Sequence, residues 1–270
     1  MKVLKISFAS ILAIFVVYRI NLFVTQPYQG AQAKDVTQQA KVNGDKTKSA
    51  QVSNEEKTST PSLPAVKTTD WSLVLVGPEH KLAAEVPASE LITLENGMLL
   101  HQKIIDAYQE LTQAAEQAGF PLVLISAYRS ISYQEEIFQG YVNDLTSQGV
   151  SEAEAIEQVK ETSTEPGYSE HHTGLAFDVI DQNWNNNYTD QPLSTKFGET
   201  AGGQWLAEHA REYGFILRYP KEKESMTKIT YEPWHFRYVG VGNAKYIEEH
   251  HLTLEEYLQQ LKEIEKVGIE

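Results

Sequence analysis

The 270-residue chain contains no cysteine. That excludes a disulfide framework, a thiol nucleophile, a thiolate zinc finger and a lipid-modified N-terminal cysteine. Any metal site must therefore be built from His, Asp or Glu. Basic residues are also scarce: 23 Lys and Arg stand against 37 Asp and Glu, a net charge of −14. Polyanion binding needs clustered Lys and Arg, so nucleic acid is excluded as the main partner. No glycine-rich phosphate loop is present. What the chain does have is an ordinary globular composition, 41% hydrophobic and 22% charged. That is enough for a sizeable core in one or two domains, with no staple required.

The charge is unevenly spread. Residues 1–70 hold nine Lys and Arg against five Asp and Glu, while residues 71–270 hold fourteen against thirty-two. The first stretch opens with Lys2 and Lys5, followed by a nearly unbroken apolar run from Ile6 to Tyr18. This is the pattern of a secretory signal. Arg19 and Asn21 interrupt the run before it reaches the ~20 apolar residues of a clean membrane span. Ala31-Gln32-Ala33 offers a small-residue cleavage site. Residues 1–33 thus read as a signal peptide or a membrane anchor, with both open. Residues 34–69 are rich in Lys, Thr, Ser and Gln and poor in large apolar side chains. Such a composition buries too little surface to offset the entropy of ordering, so this stretch reads as a tether. A folded domain is expected over 70–270.

Within that domain, Trp71–Val76 reads as a strand or extended segment and Met98–Gly119 as one long amphipathic helix closed by Gly119. Pro121–Ser126 reads as a buried strand, followed by helices over Ser132–Val142 and Ser151–Glu161. Gly174–Ile180 is a strand, Gln204–Tyr213 a helix ended by Gly214, and Phe215–Arg218 a short strand. Glu232–Val239 is strand-like, and Thr253 with Glu256 forms a capping box for a last helix. Asp181–Gly203 is a long polar loop. This irregular alternation favours an α+β fold over a doubly wound parallel sheet.

Three segments can carry chemistry. In Ser169-Glu-His-His-Thr-Gly-Leu-Ala-Phe-Asp178, Asp178 falls in a strand between Phe177 and Val179. A carboxylate there is expensive to bury unless paired or bound to metal. Metal binding and a hydrogen-bonded structural Asp are both open. In Glu232-Pro-Trp-His-Phe-Arg-Tyr238, Pro233 prevents a regular helix, so this is not a helical HExxH motif. His235 can supply a ligand with Glu232 beside it, or the segment can be a strand with aromatic packing. In Ser126-Ala-Tyr-Arg-Ser-Ile-Ser-Tyr-Gln134, Arg129 stands between a strand and a helix. There it can grip a carboxylate in a fork or join a surface ion pair. His80, His101, His209, His250 and His251 read as exposed or packing residues.

Taken together, Tyr-Arg-Ser-x-x-x-Gln, Ser-x-His-x-x-Gly-x-Ala-x-Asp and Glu-x-Trp-His, in that order, resemble the VanY-like zinc D-alanyl-D-alanine carboxypeptidases and the related LdcB-type L,D-carboxypeptidases. The resemblance covers roughly residues 72–260. It implies a hedgehog/D,D-peptidase-like α+β fold, a small antiparallel sheet with flanking helices. It further implies one zinc ion per chain held by His171, Asp178 and His235. Glu232 would be the catalytic base, and Arg129 would hold the substrate with Gln134 and Ser169 near it. Tyr219 and Trp234 are candidates for the pocket wall. His172 is not counted as a ligand, although the tandem His leaves two choices.

The implied reaction is removal of the terminal D-alanine from peptidoglycan stem peptides, with Arg129 gripping the terminal carboxylate. The implied setting is the bacterial cell surface outside the cytoplasm, where a monomer works secreted or, if the N-terminal segment is uncleaved, held at the membrane. The rival readings are an L,D-carboxypeptidase cutting L-Lys-D-Ala, a peptidoglycan endopeptidase on the same fold, and a non-catalytic wall-binding module.

Overall fold

A computed structural model describes residues 63–160, 163–188 and 191–267. The expected signal or anchor over 1–33, and the tether up to residue 62, lie outside the described residues. Among the described residues, no helix is long and apolar enough to cross a membrane.

The strand expected at Pro121–Ser126 is β3 (Leu122–Ser126), and that expected at Gly174–Ile180 is β4 (Ala176–Asp181). β5 (Phe215–Leu217) and β6 (His235–Tyr238) complete a four-stranded antiparallel sheet in the order β3-β4-β6-β5. Its register pairs Phe177 with Phe236, Asp178 with His235 and Ala176 with Arg237. Directly opposed residues project to the same face, and alternation then gives the sheet two unlike sides. Phe177, Phe215 and Phe236 face the main apolar core. Asp178, His235 and Arg237 face the other way. The fold is the small antiparallel sheet with flanking helices that was expected.

The long helix read over Met98–Gly119 is shorter in the structure. Asn96-Gly97, with Gly97 at φ +82°, makes a hairpin turn between β1 (Leu91–Thr93) and β2 (Leu99–His101). Asn-Gly between two apolar runs is a hairpin signal that outweighs helical spacing here. Helix α1 begins at Ile105 and runs to Gln117. It buries Leu111 in the main core and Ala115 along the same helix, and Gly119 closes it at φ +90° as expected. His101, expected inside the helix, ends β2 and bonds Glu90 at 3.0 Å.

The strand or extended segment expected at Trp71–Val76 opens as a 3-10 turn over Trp71–Leu73, because the Asp70 side chain caps Ser72 N–H, and beyond the turn it pairs with no strand among the described residues. Packing also starts before residue 70. Leu63 and Val66 lie against the core formed with α7 (Val241–Glu249) and α8 (Leu254–Val267). Thr68 donates two hydrogen bonds to Glu265, at 2.7 and 2.9 Å.

After β3, Ser130 caps α2 (Ile131–Ser147), which pairs with α3 (Glu152–Lys160) over a core of its own, including Phe138, Tyr141, Leu145 and Val159. The polar stretch 181–203 is not all loop. Asp181 caps α4 (Gln182–Asn187), and Thr200 caps α5 (Ala201–His209). A short α6 (Glu224–Thr227) precedes the turn into β6. The Thr253–Glu256 capping box is formed in both directions, at 2.7 and 3.2 Å.

Candidate active site

The site is built where the charged face of β4 and β6 meets the turn before β4. Asp178 and His235 meet because the register places them opposite each other on adjacent strands. His235 Nδ1 stands 2.9 Å from Asp178 Oδ1. His171 comes from a 3-10 turn over Glu170–Thr173 that Gly174 ends at φ +65°. A Cβ on Gly174 would meet the backbone N of His101 at 3.1 Å, so both its dihedral and its neighbours ask for glycine. The turn delivers His171 Nε2 to 3.4 Å from Asp178 Oδ2, with the two imidazole rings edge to face at 5.1 Å.

These three residues form the only group of potential metal ligands among the described residues, with ligand atoms all within 4.8 Å of one another. Tetrahedral ligand atoms ~2.0–2.1 Å from zinc stand roughly 3.3 Å apart, close to the His171–Asp178 spacing. The outer nitrogens also fit. His171 Nδ1 lies 2.7 Å from the Ala127 carbonyl. A carbonyl only accepts, so Nδ1 carries the proton and Nε2 keeps its lone pair for the centre. His235 presents Nδ1 inward, and its Nε2 lies 3.4 Å from Glu170 Oε2. The donor set suits zinc.

Charge is arranged around this centre. Burial opposes ionisation of Asp178, but His171 and His235 outweigh it and hold its carboxyl well below the usual range. Burial likewise works against a charge on His235, yet its contacts to Asp178 and Glu170 push its pKa up to about 9. A cation at the centre competes with a proton for this ring. His171 is lowered, chiefly by burial. Glu232 is 27% exposed, 3.8 Å from His235 Nδ1, and sits in a turn whose N–H bonds Tyr219 O. Burial, with Asp178 and Glu170 nearby, pushes its carboxyl up to about 7 against the pull of His235 and Arg129. That value suits a group that takes and returns a proton near neutral pH.

Arg129 follows the β3 edge. Its N–H bonds His171 O at 3.2 Å, its carbonyl accepts from His172 Nδ1 at 2.7 Å, and its Nη1 donates to Gln134 Oε1 at 2.6 Å. Its charge acts on His171, Asp178 and Glu232. Gln134 is buried, and its amide NH2 is taken by Thr164 O and Ser163 Oγ. It therefore stands behind Arg129 and fixes the guanidinium. His172 uses both nitrogens, Nδ1 to Arg129 O and Nε2 from Gly167 N–H at 3.1 Å. The tandem His is thus divided between the centre and the support of Arg129. Ser169 is buried at the start of the turn. The Tyr219 ring lies over His235, with centroids 4.8 Å apart. Trp234 packs against the main core.

Sequence reasoning missed the residues behind the centre. Glu170 Oε1 accepts from Arg218 Nε at 2.8 Å and from Arg237 Nη1 at 2.7 Å, and all three side chains are fully buried. The available signal was Arg237 itself, a charge flanked by Phe236 and Tyr238 and in phase with His235.

A sheet of this form with a buried His/Asp/His group able to hold a metal, and a carboxylate beside it, fits the class of zinc peptidases. Residues 97–241 match the sequence model of the VanY family, described as D-alanyl-D-alanine carboxypeptidase. A D-alanyl-D-alanine carboxypeptidase of Enterococcus faecalis (strain ATCC 700802 / V583) is 34% identical over 197 residues, covering 72% of this chain and 68% of the relative. Among solved structures, a variant of the vancomycin-resistance D,D-pentapeptidase VanY in complex with Zn(II) is 33% identical. Its TM-score is 0.57, with 70% of this chain and 99% of that chain covered. The LdcB LD-carboxypeptidase is 36% identical, with a TM-score of 0.58 and coverages of 68% and 84%. The chain belongs to the VanY family of D-alanyl-D-alanine carboxypeptidases.

Proposed function

We propose that this chain is a zinc carboxypeptidase that removes the terminal D-alanine from peptidoglycan stem peptides ending in D-Ala-D-Ala. The observation that supports it most is the fixed Arg129 beside the His171/Asp178/His235 centre and Glu232. A terminal carboxylate held in the Arg129 fork leaves the scissile carbonyl about one residue away, roughly 4 Å by backbone geometry. Zinc, when bound by His171, Asp178 and His235, supplies Lewis acidity to that carbonyl and to the attacking water. Glu232 takes the water's proton and returns it to the leaving D-alanine amine. Gln134 and His172 keep Arg129 in place, Ser169 lies buried at the start of the turn carrying His171 with its carbonyl accepting from His172 N–H, and Tyr219 walls the centre over His235. Trp234 serves the site through the backbone of β6, whose turn it anchors in the core.

The likeness to LdcB favours one second reading, cleavage of L-Lys-D-Ala in tetrapeptides. Mass spectrometry of a defined pentapeptide and tetrapeptide after incubation separates them. Loss of one alanine from the pentapeptide supports the D,D reading, and loss from the tetrapeptide alone replaces it with the L,D reading. An internal cut indicates an endopeptidase, and intact peptides indicate a wall-binding module.

We further propose that the protein works on the outer side of the bacterial membrane as a monomer, with residues 1–33 acting as a cleaved signal peptide or as a retained membrane anchor. Fractionation of cells with an antibody to the folded part tests this. Recovery in the cytoplasm would refute it.

A further inference from the structure

We propose that Glu170 is a positioning residue of the metal centre, holding His235 by Nε2 so that Nδ1 is the nitrogen presented to the metal. The inference rests on the assignment of His235 as a ligand under the proposed function. His235 has two nitrogens on opposite sides of its ring. Nδ1 points at Asp178, 2.9 Å away, and Nε2 at Glu170 Oε2, 3.4 Å away. The second contact is long, so its value depends on whether the carboxylate can move. Its other oxygen is bound by Arg218 Nε and Arg237 Nη1, at 2.8 and 2.7 Å. Both guanidiniums are anchored in turn. Arg218 grips Glu255 of α8 with two bonds, at 3.0 and 2.7 Å. Arg237 Nη2 donates to the carbonyls of Ser72 and Val74. Glu170 is therefore locked from behind.

Two features favour a positioning role over simple cohesion. A buried ion network of this kind is often no more stabilising than apolar residues of the same volume, so stability alone does not explain its place here. Glu170 is also the neighbour of His171. One 3-10 turn thus carries one ligand on its backbone and aims the other with a side chain, which ties the two imidazoles to a common support. Carboxylates in this outer position orient a ligating imidazole and raise its basicity.

The test uses the full chain with Zn2+ as the probe, and chelator competition to read Kd. Glu170→Gln keeps the shape and removes the charge. It is expected to weaken zinc binding about 10- to 100-fold. Glu255→Gln breaks only the distal grip on Arg218 and is expected to lower Tm while weakening zinc binding less than Glu170→Gln does, since Arg237 still holds Glu170. His235→Ala tests the underlying assignment, and wild-type zinc affinity in that variant would overturn the ligand set itself. Loss of zinc by His235→Ala together with wild-type affinity in Glu170→Gln would overturn the positioning role alone. Nitrogen-15 NMR of the zinc-loaded wild type keeps the proposal exposed even where Glu170→Gln fails to fold. His235 is expected to carry its proton on Nε2 and to bind through Nδ1, and the reverse pattern would refute the proposal.

Discussion

Two neighbouring pairs on the same two strands have opposite fates. Phe177 and Phe236 face each other toward the main core, while Asp178 and His235 face each other toward the metal centre. The backbones, burial and spacing are shared, and only the phase of alternation differs. A one-residue slip would send the carboxylate into the apolar core and the phenyl rings into the centre. The aromatic face therefore protects the chemistry of the other, since each buried Phe adds roughly 1.5–3 kcal/mol to the register that aligns Asp178 with His235. The apolar face is also redundant, with Leu111, Leu206 and Phe215 sharing the load. On the charged face nearly every polar atom has a dedicated partner.

The sharpest way to separate the two faces is Glu232→Gln. Turnover of a stem peptide is expected to fall ~10²–10⁴-fold, with zinc content and fold retained, because Gln keeps the shape but cannot accept the proton. Wild-type turnover would assign the base elsewhere. Adjacent substitutions then set face against face. Phe236→Ala should destabilise the fold by ~3–5 kcal/mol in denaturant melts while the folded fraction keeps zinc. His235→Ala should lose stoichiometric zinc by elemental analysis. Zinc loss in Phe236→Ala at temperatures where it is fully folded would break the comparison.

Arg129→Lys is expected to reduce kcat/KM about ten- to a hundredfold, since an ammonium cannot reproduce the planar fork and a charge-assisted bond contributes ~1.5–3 kcal/mol. Amidating the peptide's C-terminus removes the same interaction, so the two losses should not add. Full additivity would place Arg129 at another task.

Smaller effects are expected at the margins of the charged side. Burial pushes Glu248 up to about 7, against its bond from Leu217 N–H and the nearby Arg211. A carboxyl raised in the fold contributes stability that is full below its unfolded pKa of ~4.5 and lost as pH rises through 7. Glu248→Gln should therefore match the wild type at low pH and exceed it above pH 7, by ~1–2 kcal/mol at this partly exposed position. Equal differences at pH 4 and pH 8 would refute the shift. A chain starting at residue 70 should fold but melt lower than one starting at 63, by ~1–2 kcal/mol for the lost Leu63 and Val66 contacts. Identical melting curves would return the domain edge to residue 70.

The local chemistry of this protein was legible in its residues. The absence of cysteine restricted any metal to His, Asp and Glu. Capping pairs such as Thr253 with Glu256, and the Gly119 stop, act within one turn and so could be read directly. Each motif alone left its role open, and only their resemblance to a family pointed to the His171/Asp178/His235 group and to Arg129. Asn96-Gly97 carried a hairpin signal as well, but helical spacing after Met98 masked it. Other features were decided only by tertiary structure. His235 meets Asp178 through a strand register that spans 57 residues of chain. Glu170, Arg218 and Arg237 come from three separate elements, and their buried charges are tolerable only because each meets the others. His172 and Gln134 look like site residues in sequence and are supports in space, since every polar atom they carry is already bonded. Short-range rules choose turns, caps and donor types, because those energies depend on neighbours along the chain. Which donors converge, and which nitrogen of an imidazole faces inward, depends on packing between distant segments, and no local pattern encodes it.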